Sequence, residues 1–272
     1  MKVFSVFCFV FFVLQVPAQQ QNNRSRSEVG VLGGGSYYIG DLNVKNHFKN
    51  TELAFGGIYR YNVNPRFALR SNFTYGKLNA SDSDSKLDIY KNRNLSFQTD
   101  FYELASGVEF NFVPYQTGHK IHRVTGYIVA QIGVFRINPQ TEYNGALIDL
   151  QELGTEGQGT VLSDKDLYSK TQICVPVGLG SKFSLSKNVS LSLEFTVKKT
   201  FTDYIDDVGR SRFVDRDQLS ELNGPLVGEL SNRNLNGSKQ GFRGNPSTND
   251  WYFVFGAILA VRLGPPNKCY NH

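Results

Sequence analysis

Beyond its first 18 residues, the chain has no uninterrupted apolar stretch long enough to cross a membrane as a helix. Any crossing by the remainder must use strands. Cysteine is scarce: of three in 272 residues, Cys8 falls in the leader, leaving Cys174 and Cys269. Two cysteines make no disulfide framework. Their expected places, Cys174 in the outer half of a strand and Cys269 beyond the inner rim, are too far apart to bridge. Charge is nearly balanced, with 29 basic and 24 acidic residues and a net +5. That mild excess does not point to nucleic acid.

Catalytic and metal signatures are missing too. LGTEGQGT (Leu153–Thr160) is glycine-rich, but no Gly-Lys-Ser/Thr opens a helix after a strand, so it reads as a structured surface turn. Asp203, Asp206 and Asp207 do not follow EF-hand spacing and read as capping or loop pairing. His119 and His122 share a turn without a third ligand, which argues against zinc. No nucleophile elbow surrounds any of the serines. We expect neither an enzyme nor a bound cofactor.

What is present begins with an export signal over residues 1–18. Lys2 supplies the positive start, Val3–Val16 the apolar run, and Val16-Pro17-Ala18 the small-residue cleavage pattern. No cysteine follows at once, which argues against a lipid anchor there. Residues 19–27 are polar and read as a flexible arm.

The most informative stretch is Asn188–Thr200. Val189, Leu191, Leu193, Phe195 and Val197 alternate with Ser190, Ser192, Glu194, Thr196 and Lys198. A strand sends successive side chains to opposite faces, so this segment has one apolar and one polar face. Seven more segments alternate: Glu28–Ile39, Glu52–Val63, Arg66–Gly76, Phe97–Val113, Arg123–Ile137, Lys170–Phe183 and Asp250–Leu263. Pro176 fits worst, because proline cannot donate to a ladder. Between strands, lengths alternate long and short; Lys77–Ser96, Asn138–Ser169 and Phe201–Asn249 are the longest gaps, and Asp215–Asn223 could be a short helix. An even count with alternating connections predicts an all-β fold: an eight-stranded antiparallel transmembrane barrel over residues 28–263. Long loops face outward, short turns face the periplasm, and a tail of residues 264–272 leaves both termini periplasmic. The expected location is the outer membrane.

The polar faces carry Glu28, Arg60, Arg70, Glu103, Glu109, Lys182, Glu194, Lys198 and Arg262. An eight-stranded barrel is only wide enough for side chains to fill it. Opposed charges inside should pair and plug it, whereas a single-sign lining would have suggested ion selection. Aromatic girdles are expected at Tyr75, Phe135, Phe201, Tyr204, Trp251 and Tyr252 on the outer rim. The inner rim should hold Tyr59, Tyr61, Phe67, Phe110, Phe112 and Tyr115. Lys199 points outward at the outer rim, as a snorkelling lysine or a contact to lipopolysaccharide phosphate.

GSYYIGDLN (Gly35–Asn43), LGTEGQGT, KTFTDYIDDV (Lys199–Val208) and RGNPSTNDWYFVFG (Arg243–Gly256), in this order, resemble the PorG-type outer-membrane proteins of Bacteroidota. The resemblance covers essentially the whole mature chain. It implies a barrel of the type IX secretion machinery, which in some members of that phylum supports gliding. Such proteins are thought to tie a periplasmic ring of PorK-type lipoprotein and PorN-type protein to the outer membrane. Partner contacts would then lie at the periplasmic turns, with Tyr115, His119, Lys120, His122 and Arg123 as candidates. Other readings are a barrel whose loops bind extracellular ligands, or a small-solute channel.

Overall fold

The computed structural model describes residues 26–238 and 241–264. The expected signal, most of the polar arm and all but Gly264 of the tail lie outside those residues. Among the described residues there are ten strands: β1 Ser27–Ile39, β2 Glu52–Asn62, β3 Phe67–Ser81, β4 Ser96–Asn111, β5 Val124–Ile137, β6 Gln140–Tyr143, β7 Ala146–Asp149, β8 Thr171–Ser184, β9 Val189–Thr200 and β10 Trp251–Arg262. Eight of them pair in the circular order β1-β2-β3-β4-β5-β8-β9-β10, every pair antiparallel. β1 meets β10, from Glu28 opposite Arg262 to Ile39 opposite Trp251, and the sheet closes on itself. Closure leaves no unpaired edge among these eight, a requirement in lipid, where water cannot satisfy backbone groups.

Alternation sets the two faces. Val31, Leu53, Phe73, Leu104, Ile132, Ile173, Leu193 and Leu259 are exposed on the outer wall. An apolar band of this extent around a closed barrel is the exterior of an outer-membrane protein. Pro176 is accommodated by a local gap. The β5–β8 ladder skips the two positions between Ala130 opposite Val177 and Gly133 opposite Cys174 without a change of register, while Pro176 stays opposite Lys198 on β9.

The strand expectations differ most at β3. It continues past Gly76 and pairs with β4 as far as Ser81 opposite Ser96. The Ser, Asp and Asn content of Lys77–Ser96 reads as loop, yet Leu78 and Ala80 keep the inward parity and are buried. The rest of that segment is ordered as well, with helix α1 over Asp88–Arg93. The gap between β5 and β8 holds the β6–β7 hairpin and helix α2, Leu150–Leu153. Its turn is Asn144-Gly145, both with positive φ (52 and 78), the backbone that a two-residue hairpin requires. Helix α3, Arg216–Asn223, starts at an Asp215 cap whose side chain accepts from the Asp217 and Gln218 amides. Helix α4, Pro225–Ser231, follows with proline in its first turn.

The interior changes character along the axis. Its middle is charged. Toward the long-loop end, inward positions become apolar: Phe97, Phe101, Phe135 and Ile137 pack with Leu150, Ile205, Phe213 and Leu230 from the loops. The loops thus share one core with the upper strands and cover that mouth of the barrel. Phe135 and Tyr252, expected in the outer girdle, are buried inside, at 1% and 0% exposure. Strand parity explains both: Phe135 shares its face with Gln131, and Tyr252 with Arg262.

Candidate functional site

The structure places all nine predicted lumen charges inside the barrel, none more than 8% exposed. They are brought together by register. Glu28 of β1 lies opposite Arg60 of β2, which lies opposite Arg70 of β3. Glu109 is the hub. It accepts from Arg60 Nε at 2.9 Å, from Arg70 at 3.4 Å and from the Lys182 ammonium. Arg70 also grips Glu194 with both terminal nitrogens, at 2.5 and 2.8 Å. Nearer the long-loop end, Glu103 accepts from Lys198 at 2.8 Å. Phenols complete the acids: Tyr127 donates to Glu194 and Tyr252 to Glu103, each at 2.6 Å. Neither phenol was singled out as a lumen group, although counting by twos along their own strands, from Gln131 to Tyr127 and from Arg262 to Tyr252, would have found them. Cys174 is fully buried beside Glu103 as a free thiol.

Arg262 reaches Glu28 only indirectly. Its guanidinium donates to the Thr117 carbonyl at 2.8 Å, and Thr117 Oγ1 donates to Glu28 at 2.7 Å. Thr117 belongs to the turn between β4 and β5. In the circular order, that turn lies diametrically across the barrel from the β1–β10 seam. The segment Tyr115–Gly118 therefore reaches across the mouth at the short-turn end. Gly118, with φ +80, permits the crossing: a Cβ there would sit 2.1 Å from the Lys187 carbonyl oxygen. Tyr115 is 5% exposed, its ring 5.1 Å from Lys182 Nζ. It is thus neither a rim aromatic nor a surface contact, because the crossing turn carries it inward. The remaining contact candidates lie on the return limb. Lys120, His122 and Arg123 are exposed, His119 is half-buried, and the two imidazoles stack at 4.7 Å. Arg123 donates to the Ser184 carbonyl at 3.4 Å.

The long-loop mouth is held by a second buried network that carries no sequence period. LGTEGQGT is not a surface turn: Gly154–Gln158 are buried, and Glu156 is at 0% exposure. Its carboxylate accepts from the Gly209 and Arg210 amides at 2.9 and 3.0 Å and from Arg243 Nε at 2.8 Å. Arg93 pairs with Asp82 at 2.6 Å and donates to the Asp41 and Arg243 carbonyls, tying three loops together. Tyr38 Oη lies 2.7 Å from both Asp206 and Asp250. A phenol has one proton to give, so the trio is satisfied when one carboxyl keeps its own. Burial pushes both carboxyls well above the usual range, helped at Asp206 by Asp250 and Asp41 and at Asp250 by Asp203 and Asp41. Burial likewise raises Asp207 to about 6, against the pull of Arg243, and Asp203 to about 8, helped by Asp41 and Asp206. The expected pairing role of these aspartates is what Asp206 and Asp207 perform. Lys199 is exposed, its ammonium 4.7 Å above the Trp251 ring. Among the described residues, no group of three or more His, Cys, Asp or Glu is arranged to hold a metal.

The family described as Domain of unknown function (DUF6089) matches residues 2–223. No curated protein matches the chain. Solved structures similar to it include Neisserial surface protein A, at 12% identity and TM-score 0.46, covering 88% of this chain and 98% of that one. Ail of Yersinia pestis, solved with the heparin analogue sucrose octasulfate, gives 11% and 0.40, with 86% and 97% covered. The outer membrane enzyme PagL gives 10% and 0.31, with 87% and 99% covered. At these values the architecture rests on the strand register above.

Proposed function

The chain belongs to the DUF6089 family, and we propose that it is a non-enzymatic outer-membrane component of type IX secretion that anchors or organises the periplasmic ring. The observation that carries this reading is the closed interior. A paired charge network fills the middle, the Tyr115–Gly118 segment spans one mouth, and the folded loops cover the other. Among the described residues the barrel is held shut at three levels, which favours a rigid, lipid-held footing over a solute channel. The resemblance to PorG-type proteins supplies the partner class. In this reading the short turns and both termini are periplasmic, and PorK-type and PorN-type proteins dock there. Lipids and lipopolysaccharide surround the wall. The test is deletion with pull-down: the barrel should recover the ring proteins from membranes, and its clean loss should stop type IX secretion. Normal secretion without a duplicate gene overturns the reading.

A second reading, loops that bind an extracellular ligand, is favoured by one feature. A cleft of about 510 Å³ opens between the loop at Asp41–Asn50 and the segment Ala80–Tyr90. If removing Phe201–Asn249 abolishes function while the short turns tolerate change, this reading replaces the first.

A further inference from the structure

We infer that the short-turn end is a docking face for an acidic protein surface, with Ile121 as its apolar anchor; this rests on the orientation and partner class proposed above. The exposed charges at this end, among the described residues, are all basic: Arg26, Arg66, Lys120, Arg123 and Lys187. The one acid there, Glu28, is 2% exposed and held by Thr117 inside the barrel. The flanking sequence, residues 19–25 and 265–272, adds Arg24 and Lys268 and no acid. At the opposite end, exposed Asp84, Asp88 and Glu142 stand among exposed lysines such as Lys86. The asymmetry is therefore a property of one face.

Within that face, Ile121 is 81% exposed. Among the described residues of this end it is the barest large apolar side chain; bare ones stand elsewhere too, Val161 at 89%. Ile121 is presented on a rigid limb. The Ile121 and His122 amides both donate to His119 Nδ1 at 3.1 Å, and Gln116 N donates to the His122 carbonyl at 3.2 Å. The limb is fastened to both sides of the barrel: Gly118 N donates to Ser184 Oγ at 2.8 Å, and Thr117 holds Glu28 on the far wall. Pre-ordering of this kind lowers the entropic cost of association. A single-sign field steers an oppositely charged partner, and an apolar centre ringed by charge is the usual anatomy of a protein interface. Because the segment lies across the mouth instead of outside the wall, it meets a periplasmic protein more readily than lipid headgroups.

The experiment uses the full-length mature barrel in phosphatidylcholine discs, with purified PorK-type and PorN-type ring proteins of the same cell as probe. Wild type should bind, with affinity falling steeply as salt rises. K120E/R123E should weaken binding about tenfold or more, and I121S about tenfold. K86E/K91E, the same charge change at the other end, should leave it unaltered. Heat-dependent gel mobility checks that each variant is folded. If wild type binds and the short-turn variants bind equally well, the docking face is wrong while the proposed function stands. If wild type fails to bind, both fall. If the variants differ from wild type only in discs containing phosphatidylglycerol, lipid headgroups are the occupant and the inference is overturned.

Discussion

Neutralising Glu109 tests whether the lumen is a solid plug. Glu109→Gln keeps shape and volume, so no cavity complicates the result. It removes the one carboxylate that three cations share: Arg60 at 2.9 Å, Arg70 at 3.4 Å and Lys182. Arg70 would retain its two bonds to Glu194. Arg60 would keep Glu28 only at 3.8 Å. Lys182, at 0% exposure, would keep the Asn111 amide oxygen at 3.4 Å and no acid within bonding range. Breaking a buried ion pair by removing one partner costs about 3–5 kcal/mol, because the other charge stays desolvated. The expected loss of stability for E109Q is in that range. Removing the stranded charge as well, in E109Q/K182M, should recover most of it, since an apolar replacement of a buried pair is often neutral. Urea unfolding in detergent, with the folded fraction read by heat-dependent gel mobility, supplies both numbers. Stability of E109Q within about 1 kcal/mol of wild type, with no recovery in the double variant, would mean that the lumen is wet enough to screen its charges. The plugged-barrel reasoning would then fail.

The loop cover should respond to pH. Asp203 is held at about 8 and Asp207 at about 6, against 3.8 when unfolded. The folded loops therefore bind protons more tightly than the unfolded chain. Their contribution is complete below about pH 4 and is lost as pH rises through 6 and then 8. Trp251, the single tryptophan, adjoins Asp250 and reports the cover. Its urea midpoint should fall from pH 5 to pH 8, and D203N should raise it at pH 8 with little effect at pH 5; a midpoint that climbs with pH contradicts the assignment. Glu156→Ala removes the acceptor of three donors, two of them in buried bonds, and should make residues 201–249 protease-sensitive while the barrel keeps its heat-dependent mobility. Cys174 in a C269S mature chain should resist maleimide until urea unfolds the barrel, because the thiol is fully buried; rapid labelling of the folded protein would place it outside the core.

The strands were legible because their signal is local. A pleat sends every second residue inward, so Val189–Thr200 declares its faces without reference to any other part of the chain. The same parity put Glu28, Arg60, Glu109 and Lys182 on inward faces before any partner was known. It also contained Tyr127, Phe135 and Tyr252, whose inward places follow from counting along their own strands. The Asn144-Gly145 hairpin could equally have been read from its turn dipeptide. β3 was read short because its upper end, Leu78–Ser81, looks like loop by composition. There the polarity rule has also reversed. Once a strand rises beyond lipid, its inward face packs an apolar core, as in a soluble protein, instead of a charged one.

Sequence alone thus determined the number of barrel strands, their faces and the charge balance of the interior, since each depends only on a two-residue period. Tertiary structure decided which acid meets which base, because pairing depends on register between strands as far apart in sequence as Arg70 and Glu194. It also decided that Tyr115 turns in, that Thr117 bridges to the opposite wall, and that Glu156 and Arg243 sit at the heart of the loops. Those contacts join segments with no shared period, held together only because the barrel has already brought their ends to one mouth.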